Sequence, residues 1–571
     1  MSLAISRQFN AKPAHEVRRQ EGCSPTAFAD TVGQAYVAEK SAIHRKDHGL
    51  YLTPPPVAAF MAAMITPRPK IRLLDPAAGA GILLCAAVEA LVKSPQPPGK
   101  IDIVAYEIDP ELAWHLRQVL DNLTVWAKTK VVKVKVDIRC CDFILSEAKF
   151  LNSGLHAYDA VIINPPYFKV GKNDPRAVAA RSVVHGQPNI YGLFMAVSAA
   201  LLVPGGDFVS ITPRSFASGP YFRKFREEFF AMMRPIRTHV FGSRKDAFSR
   251  DEVLQENVIL HGIHHVGWHE GKNKHCMTVS SSAGLSDLGT AHAFEIYLSH
   301  ALDAANLATP FRLPVSRDDT AILDAIDGWG GNLKAYGMEI STGPVVPFRA
   351  TEFLSEKANG VTVPLIWMNH VRTMDVHWPS GVKKPQWIEH RPKSIRLLVT
   401  NNNYVILRRF SAKEEHKRLT AAPLLAGQLA GDMIGLENHL NYIHRPGGRL
   451  EEVETLGLAA LYNSALMDGY FRCVNGNTQV SATELRAMPL PPLIEIKALG
   501  RHLQSEPHNI GMIDELVKEL AAGSSITNKR EAWIRKFYRS TIGVESTGLA
   551  LDPTKPHSRT HVAGLGGIGA R

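Results

Sequence analysis

Residues Ile71-Arg72-Leu73-Leu74-Asp75-Pro76-Ala77-Ala78-Gly79-Ala80-Gly81 decide the fold of this 571-residue chain. Residues 71–74 form an apolar run of strand length, and residues 82–92 are apolar enough for a buried helix. The stretch from Asp75 to Gly81 reads as a tight strand-to-helix turn. Glycine at positions 79 and 81 lets the backbone approach a ligand closely. The N-terminus of the helix that follows can face an anionic group. Helix–strand packing alone also selects a Gly-x-Gly turn, so the motif needs support from its neighbours.

That support comes from the segments on either side. Further strands are expected at 101–106, 131–138, 160–163, 207–212, 238–241 and 258–263, with helices at 110–127 and 191–202. The alternation predicts an α/β protein with a Rossmann-like doubly wound sheet over residues 31–265. Upstream, residues 27–46 are expected to be helical, after a flexible N-terminus at 1–30. Thr53 is placed to cap a helix that begins in Pro54-Pro55-Pro56, where prolines are tolerated.

Residues 271–289 contain Ser280-Ser281-Ser282 and little apolar periodicity, so 266–331 is expected to be a linker and connecting segment. Residues 332–498 have short apolar runs rich in Pro, Gly, Asn, Trp and Tyr, and predict a mixed α+β second domain. Residues 499–545 are expected to be largely helical. Residues 546–571, rich in Gly, Pro, Ser and Thr, are expected to form a disordered tail.

The apolar run ending at Ile163 is followed by Asn164-Pro165-Pro166-Tyr167. An exocyclic amine on a heteroaromatic base is a poor nucleophile because its lone pair is delocalised into the ring. The Asn164 amide oxygen and the Pro165 carbonyl can accept its two hydrogens, and Pro165 and Pro166 stiffen the loop so that the acceptors are preorganised. Tyr167 offers a flat face to the base. Together with the glycine turn, this points to a chain that holds S-adenosylmethionine and methylates an amino group on a planar substrate. Glu107 closes the strand after the turn, and a carboxylate there can accept both ribose hydroxyls of an adenosine. Alternatively, it is a surface acid at a helix start. Asp142 and Phe143 end the next βα segment. They suit an adenine amino group and ring, or a helix cap beside a core Phe.

Composition narrows the class. No run of about 18 uncharged apolar residues is present, so no membrane helix is expected. The polar N-terminus lacks the apolar core of a signal peptide. Six cysteines without a Cys-x-x-Cys pair suggest neither zinc nor disulfides, and fit a reducing cytoplasm; no metal is expected. The formal charge is +11, and residues 381–420 hold ten Lys or Arg against three Glu. Lys383, Lys384, Arg391, Lys393, Arg396, Arg408 and Arg409 are therefore candidates for phosphate contact with a polyanionic partner, against the bland alternative of a solvated face.

The order Thr53-Pro54, Asp75 to Gly81, Glu107, Asp142-Phe143 and Asn164 to Tyr167 resembles the gamma class of adenine-N6 DNA methyltransferases, the TaqI type. The likeness covers roughly residues 30–265. It reaches a C-terminal specificity domain through Leu461-Tyr462-Asn463-Ser464 and Asn475-Gly476-Asn477-Thr478-Gln479-Val480. It implies a cofactor site of Thr53, Pro54, Asp75, Ala77, Gly79, Gly81, Glu107, Ile108, Asp142 and Phe143. It also implies a late aromatic residue, matched here by Phe248, that helps Tyr167 hold a flipped adenine; a core Phe is the alternative. Double-stranded DNA is the expected partner and a monomer the expected state. With about 30 residues ahead of the catalytic region, any cognate restriction nuclease is expected to be a separate protein.

Cytosine-N4 methylation is the nearest alternative chemistry, but Ser more often stands at the Asn164 position in such enzymes. RNA or protein-glutamine amino methylases share the tetrapeptide, but are typically shorter and carry their extra domain ahead of the catalytic one. A catalytically dead DNA-binding module would not need an intact Asn164, Tyr167, Glu107 and Gly79.

Overall fold

The computed structural model describes residues 21–41, 44–45, 52–151, 153–242, 256–270, 274–412, 415–476, 478–505 and 510–526. Its N-terminal half, called the catalytic half after the expectation above, is built on β1 (Lys70–Asp75), β2 (Lys100–Tyr106), β3 (Lys133–Arg139), β4 (Tyr158–Ile163), β5 (Leu202–Pro213), β6 (Met233–Phe241), β7 (Asn257–His264), β8 (Cys276–Ser282) and β9 (Ala293–Tyr297). They form one sheet in the order β3-β2-β1-β4-β5-β7-β6-β8-β9. The first five positions are parallel, and β7 enters antiparallel between β5 and β6.

Both faces of the central parallel strands β1, β2, β4 and β5 are covered, so these strands are rich in consecutive apolar residues, whereas the edge strand β3 alternates. Successive side chains alternate between two cores. Val161 and Ile163 pack under the helices Ile190–Ala200 and Arg223–Met232. Ala160 and Ile162 pack with the helices Pro25–Glu39, Pro55–Ala62, Ile82–Val92 and Pro110–Thr129. The last of these starts where Asp109 accepts the Glu111 and Leu112 N–H groups, with Pro110 in the first turn.

Several expectations need correction. The first helix begins at Pro25, inside the segment read as flexible, and ends at Glu39 rather than near 46. β3 begins at Lys133, because Val131 takes a positive φ of 61° and closes the preceding turn. The proposed linker supplies β8 and β9. The serines that hid β8 face inward: Ser280 and Ser282 each hydrogen-bond a ring nitrogen of buried His239 at 3.0 Å. A strand whose buried partner is polar needs no apolar periodicity. Thr53 does not cap a helix. The cap position is Pro54, and prolines in the first turn leave few N–H groups for a side chain to satisfy. The proposed tail at 546–571 lies outside the described residues.

The second half is mixed α+β as expected. Four strands, Glu339–Thr342, Leu440–His444, Tyr404–Arg408 and Ala421–Leu424, form one sheet. Leu354–Ser355, Trp387–Glu389, Thr362–Ile366, Met433–Leu436 and Leu398–Thr400 form another. The helices Glu452–Asn463 and Leu493–Ser505 then cross in backbone contact. A Cβ on Gly457 would stand 2.0 Å from the Ile496 carbonyl oxygen, and one on Gly500 would stand 1.8 Å from that of Val453. Gly500→Ala must therefore push two backbones apart, at a cost of about 1–3 kcal/mol. Its thermal unfolding midpoint is expected below that of the parent, and an unchanged midpoint would show that the helices do not touch there.

Candidate active site

β1 and β4 are neighbours, and the connections leave their C-terminal ends toward opposite edges of the sheet. Doubly wound sheets form their ligand crevice at such a point. β1 delivers Asp75 and the glycine turn there, and β4 delivers Asn164.

The turn is held by backbone and carboxylate together. The Ala78 N–H donates to the Tyr106 carbonyl at 2.8 Å, and the Ala77 N–H to Asp75 Oδ1 at 3.1 Å. Gly81 has a φ of +87°, and a Cβ there would meet Leu116 Cδ1 at 2.7 Å, so glycine is required on both counts. Glu107, which is 8 % exposed, accepts the Gly79 N–H at 3.0 Å and the Asp109 N–H at 2.9 Å. It is thus tied into the turn and is not the surface acid of the alternative reading. Burial pushes the Asp75 carboxyl up to about 8, helped by the charge of Glu107. Burial likewise pushes Glu107 up to about 7.

Asn164 is fixed at both ends of its amide. Its Nδ2 donates to Thr53 Oγ1 at 3.0 Å, and its Oδ1 accepts from the Tyr167 hydroxyl. That hydroxyl also meets the Ile211 carbonyl of β5 at 2.9 Å. Tyr167 is buried, edge-on to Tyr191 with ring centroids 6.1 Å apart, and Tyr191 reaches Ser215 Oγ at 2.6 Å. Pro165 is buried and Pro166 half-buried. Thr53, Ala77, Gly79 and Asn164 line one small cleft of about 50 Å³, together with Gly33 and Leu52.

The remaining candidates divide. Ile108 is exposed beside Glu107. Asp142 caps the helix Phe143–Glu147 by accepting the Leu145 N–H at 3.0 Å. Phe143 is 1 % exposed, between Tyr106 and Phe194. Asp142 thus caps a helix, and Phe143 lies in the core beside it. Phe248 lies outside the described residues. Of the basic candidates, Lys383, Lys384, Arg391, Lys393 and Arg396 are exposed. Arg408 and Arg409 are half-buried. Arg408 Nε donates to the Val371 carbonyl at 2.8 Å, and an Arg409 guanidinium nitrogen donates to the Asn438 carbonyl at 2.9 Å. These contacts brace the domain's own loops. Sequence reasoning missed Arg214 and Glu256 as site residues and counted Arg418 only as charge, although all three are at most 5 % exposed. Their partners are distant along the chain, and no local pattern marks them.

Strand order, glycine turn and the Asn164 loop at the switch point define an S-adenosylmethionine-dependent methyltransferase fold. Comparison with known proteins narrows the class. The family model described as Eco57I restriction-modification methylase matches residues 121–248. The chain is 30% identical over 508 residues to the type II methyltransferase M.PstI of Providencia stuartii, covering 88% of this chain and 99% of that protein. It is 31% identical over 513 residues to M.BsuBI of Bacillus subtilis, covering 87% and 98%. The chain therefore belongs to the type II DNA methyltransferases of restriction-modification systems. Among solved structures it is similar to the type IIG restriction endonuclease BpuSI, at a TM-score of 0.41 and 12% identity, over 88% of this chain and 68% of that one. It is also similar to the DrdV–DNA complex, at 0.44 and 13%, over 84% and 59%.

The buried carboxyls give the site a pH signature. Folding raises both above their ordinary values of 3.8 and 4.5, so the folded chain keeps protons that the unfolded chain has lost. Their contribution to stability is complete below about pH 4 and is lost as pH rises through about 7 and 8. In the absence of methyl donor, the unfolding midpoint is expected to fall between about pH 5 and 8, and Asp75→Asn should flatten that fall. A parallel pH profile for parent and variant would rule this carboxyl out as the source.

Proposed function

We propose that this DNA methyltransferase acts on the N6 amino group of adenine within a specific duplex sequence, with S-adenosylmethionine as donor. The observation that carries this reading is Asn164 at the end of β4, its amide held between Thr53 and Tyr167. The donor chemistry of the site suits S-adenosylmethionine. Glu107, with Ile108 beside it, is the carboxylate for the ribose hydroxyls, and the Ala77–Gly81 turn and Thr53 border the reacting end. Thr53, Ala77, Gly79 and Asn164 share one cleft, which brings the turn and the Asn164 loop to a single ligand. When bound, the donor supplies a methyl group that is already activated, so the protein's task is positioning.

Asn164 performs that task. Its Nδ2 is held by Thr53 and its oxygen by the Tyr167 hydroxyl, which together restrict rotation of the amide. An amide oxygen can accept two hydrogen bonds, so the bond from Tyr167 is compatible with one from an amine. With the Pro165 carbonyl as second acceptor, the amine's two hydrogens are held and its lone pair is freed toward the methyl. The base must leave the DNA stack to reach this loop, at a cost of a few kcal/mol. We assign Tyr167 and Phe248 to holding it there. Asn at position 164 favours adenine over cytosine. The exposed Lys383, Lys384, Arg391, Lys393 and Arg396 supply phosphate contacts that place the duplex without reading it.

Asn164→Ala is expected to bind donor with parental affinity and to transfer methyl about a hundredfold more slowly, from the loss of about 3 kcal/mol of acceptor stabilisation. Near-parental single-turnover rates would remove Asn164 from the chemistry. Sequencing modified bases in DNA from cells expressing the chain should show N6-methyladenine at one recurring sequence; N4-methylcytosine would overturn the choice of base.

Each exposed cation should also leave its mark on salt dependence. Lys393→Ala or Arg396→Ala should flatten the log–log slope of DNA affinity against salt by about one unit, with donor affinity unchanged. Parental slopes in both would leave this run as a solvated face.

A further inference from the structure

Arg214 follows the last residue of β5 and is 5 % exposed. Its backbone N–H donates to the Glu256 carbonyl at 2.7 Å, and its guanidinium pairs with the Glu256 carboxylate at 2.9 Å. Both contacts lie within the catalytic half, because Glu256 immediately precedes β7. The other end of the guanidinium leaves that half. It donates to the Arg472 carbonyl at 2.7 Å and the Cys473 carbonyl at 2.9 Å. These are among the last carbonyls of the helix Ala465–Val474, which have no partner within the helix and carry its negative dipole end.

The next residues belong to the Asn475–Val480 segment singled out in the sequence. Gly476 lies against the arginine: a Cβ there would be 2.3 Å from Arg214 Cδ and 2.8 Å from Glu256 Oε2. Gly476 has no positive φ, so contact rather than backbone conformation demands glycine. Asn475 continues the contact into the second domain. Its Oδ1 accepts from buried Arg418 at 3.2 Å, and Arg418 and Leu419 donate backbone N–H groups to Asp468 on the same helix.

Toward the active site, the Arg214 corner is two short steps from Tyr167. Ile211 of β5 supplies the carbonyl that meets the Tyr167 hydroxyl, and Ser215 meets Tyr191, whose ring abuts Tyr167. One buried side chain thus joins the strand that seats Tyr167 to the helix end that opens into the second domain.

We propose that Arg214, through Glu256 and the space left by Gly476, is a positioning residue that sets the angle of the second domain to the Asn164–Tyr167 loop. DNA held by the one is thereby presented to the other. This rests on the reading of that loop as the target-amine site.

The test uses the full chain with Arg214→Met and, separately, Gly476→Ala, which disturbs the same contact without removing a charge. Both variants should keep donor affinity, and affinity for non-cognate DNA, within about threefold of the parent. Both should lose about a hundredfold in single-turnover methyl transfer at saturating donor and DNA, the scale expected from a misplacement of about 1 Å. Adding Gly476→Ala to Arg214→Ala should cost less than the sum of the two single changes, because the nearest side chain it strikes is gone and only the 2.8 Å approach to Glu256 Oε2 remains. Parental transfer rates in both single variants would overturn the proposal. So would a loss of rate matched by an equal loss of donor binding and of unfolding temperature, or full additivity in the double variant. Asn164→Ala run alongside keeps the two readings apart: if it transfers methyl normally, the assignment of the loop fails whatever Arg214 does.

Discussion

Everything at the catalytic centre depends on β1 pairing in parallel with a neighbour on each side. Leu73 aligns with Ile103 of β2 and with Ala160 of β4. Parallel strands place their C-terminal ends on one edge of the sheet, so the turn after β1, Glu107 after β2 and Asn164 after β4 emerge together. Because the chain then departs toward opposite sides, a crevice opens between the turn and the Asn164 loop. No single contact between those residues creates the site. The register of three strands does.

The second constraint is the treatment of buried charge. Removing an ionised group from water is costly unless partners compensate. The protein solves this in different ways at different depths. Asp75 and Glu107 sit beside each other and are pushed toward their neutral forms. Arg214 and Glu256 stay paired, and two helix-end carbonyls accept from the other terminal nitrogen of the guanidinium. Arg226 spends its donors on the carbonyls of Phe216, Gly219, Ala308 and Thr309. The last of these solutions ties the segment after β9 back onto the catalytic half. What reads as a linker is therefore structural.

The strands and helices of the catalytic half were legible because their periodicity is apolar and the parallel sheet is covered on both faces. The turn at 75–81 was legible because glycine and proline are demanded by backbone geometry. β8 was missed because Ser280 and Ser282 are buried on a histidine, where hydrogen bonding replaces apolar contact. The basic run at 381–420 was legible as charge, but not as surface. Arg408 and Arg409 are braced on carbonyls, and Arg418 is 1 % exposed.

The sequence by itself determined the kind of chemistry: an amide, two prolines and an aromatic ring after a strand, a glycine turn, and a carboxylate one strand later. Those are properties of residue type and local order, which a chain carries whether folded or not. Tertiary structure alone decided which charges face solvent and which hold the molecule together. Pairings such as Arg214 with the carbonyls of Arg472 and Cys473 join residues some 260 positions apart. Their strength comes from exclusion of water, and that exclusion exists only once both halves of the protein have closed over them.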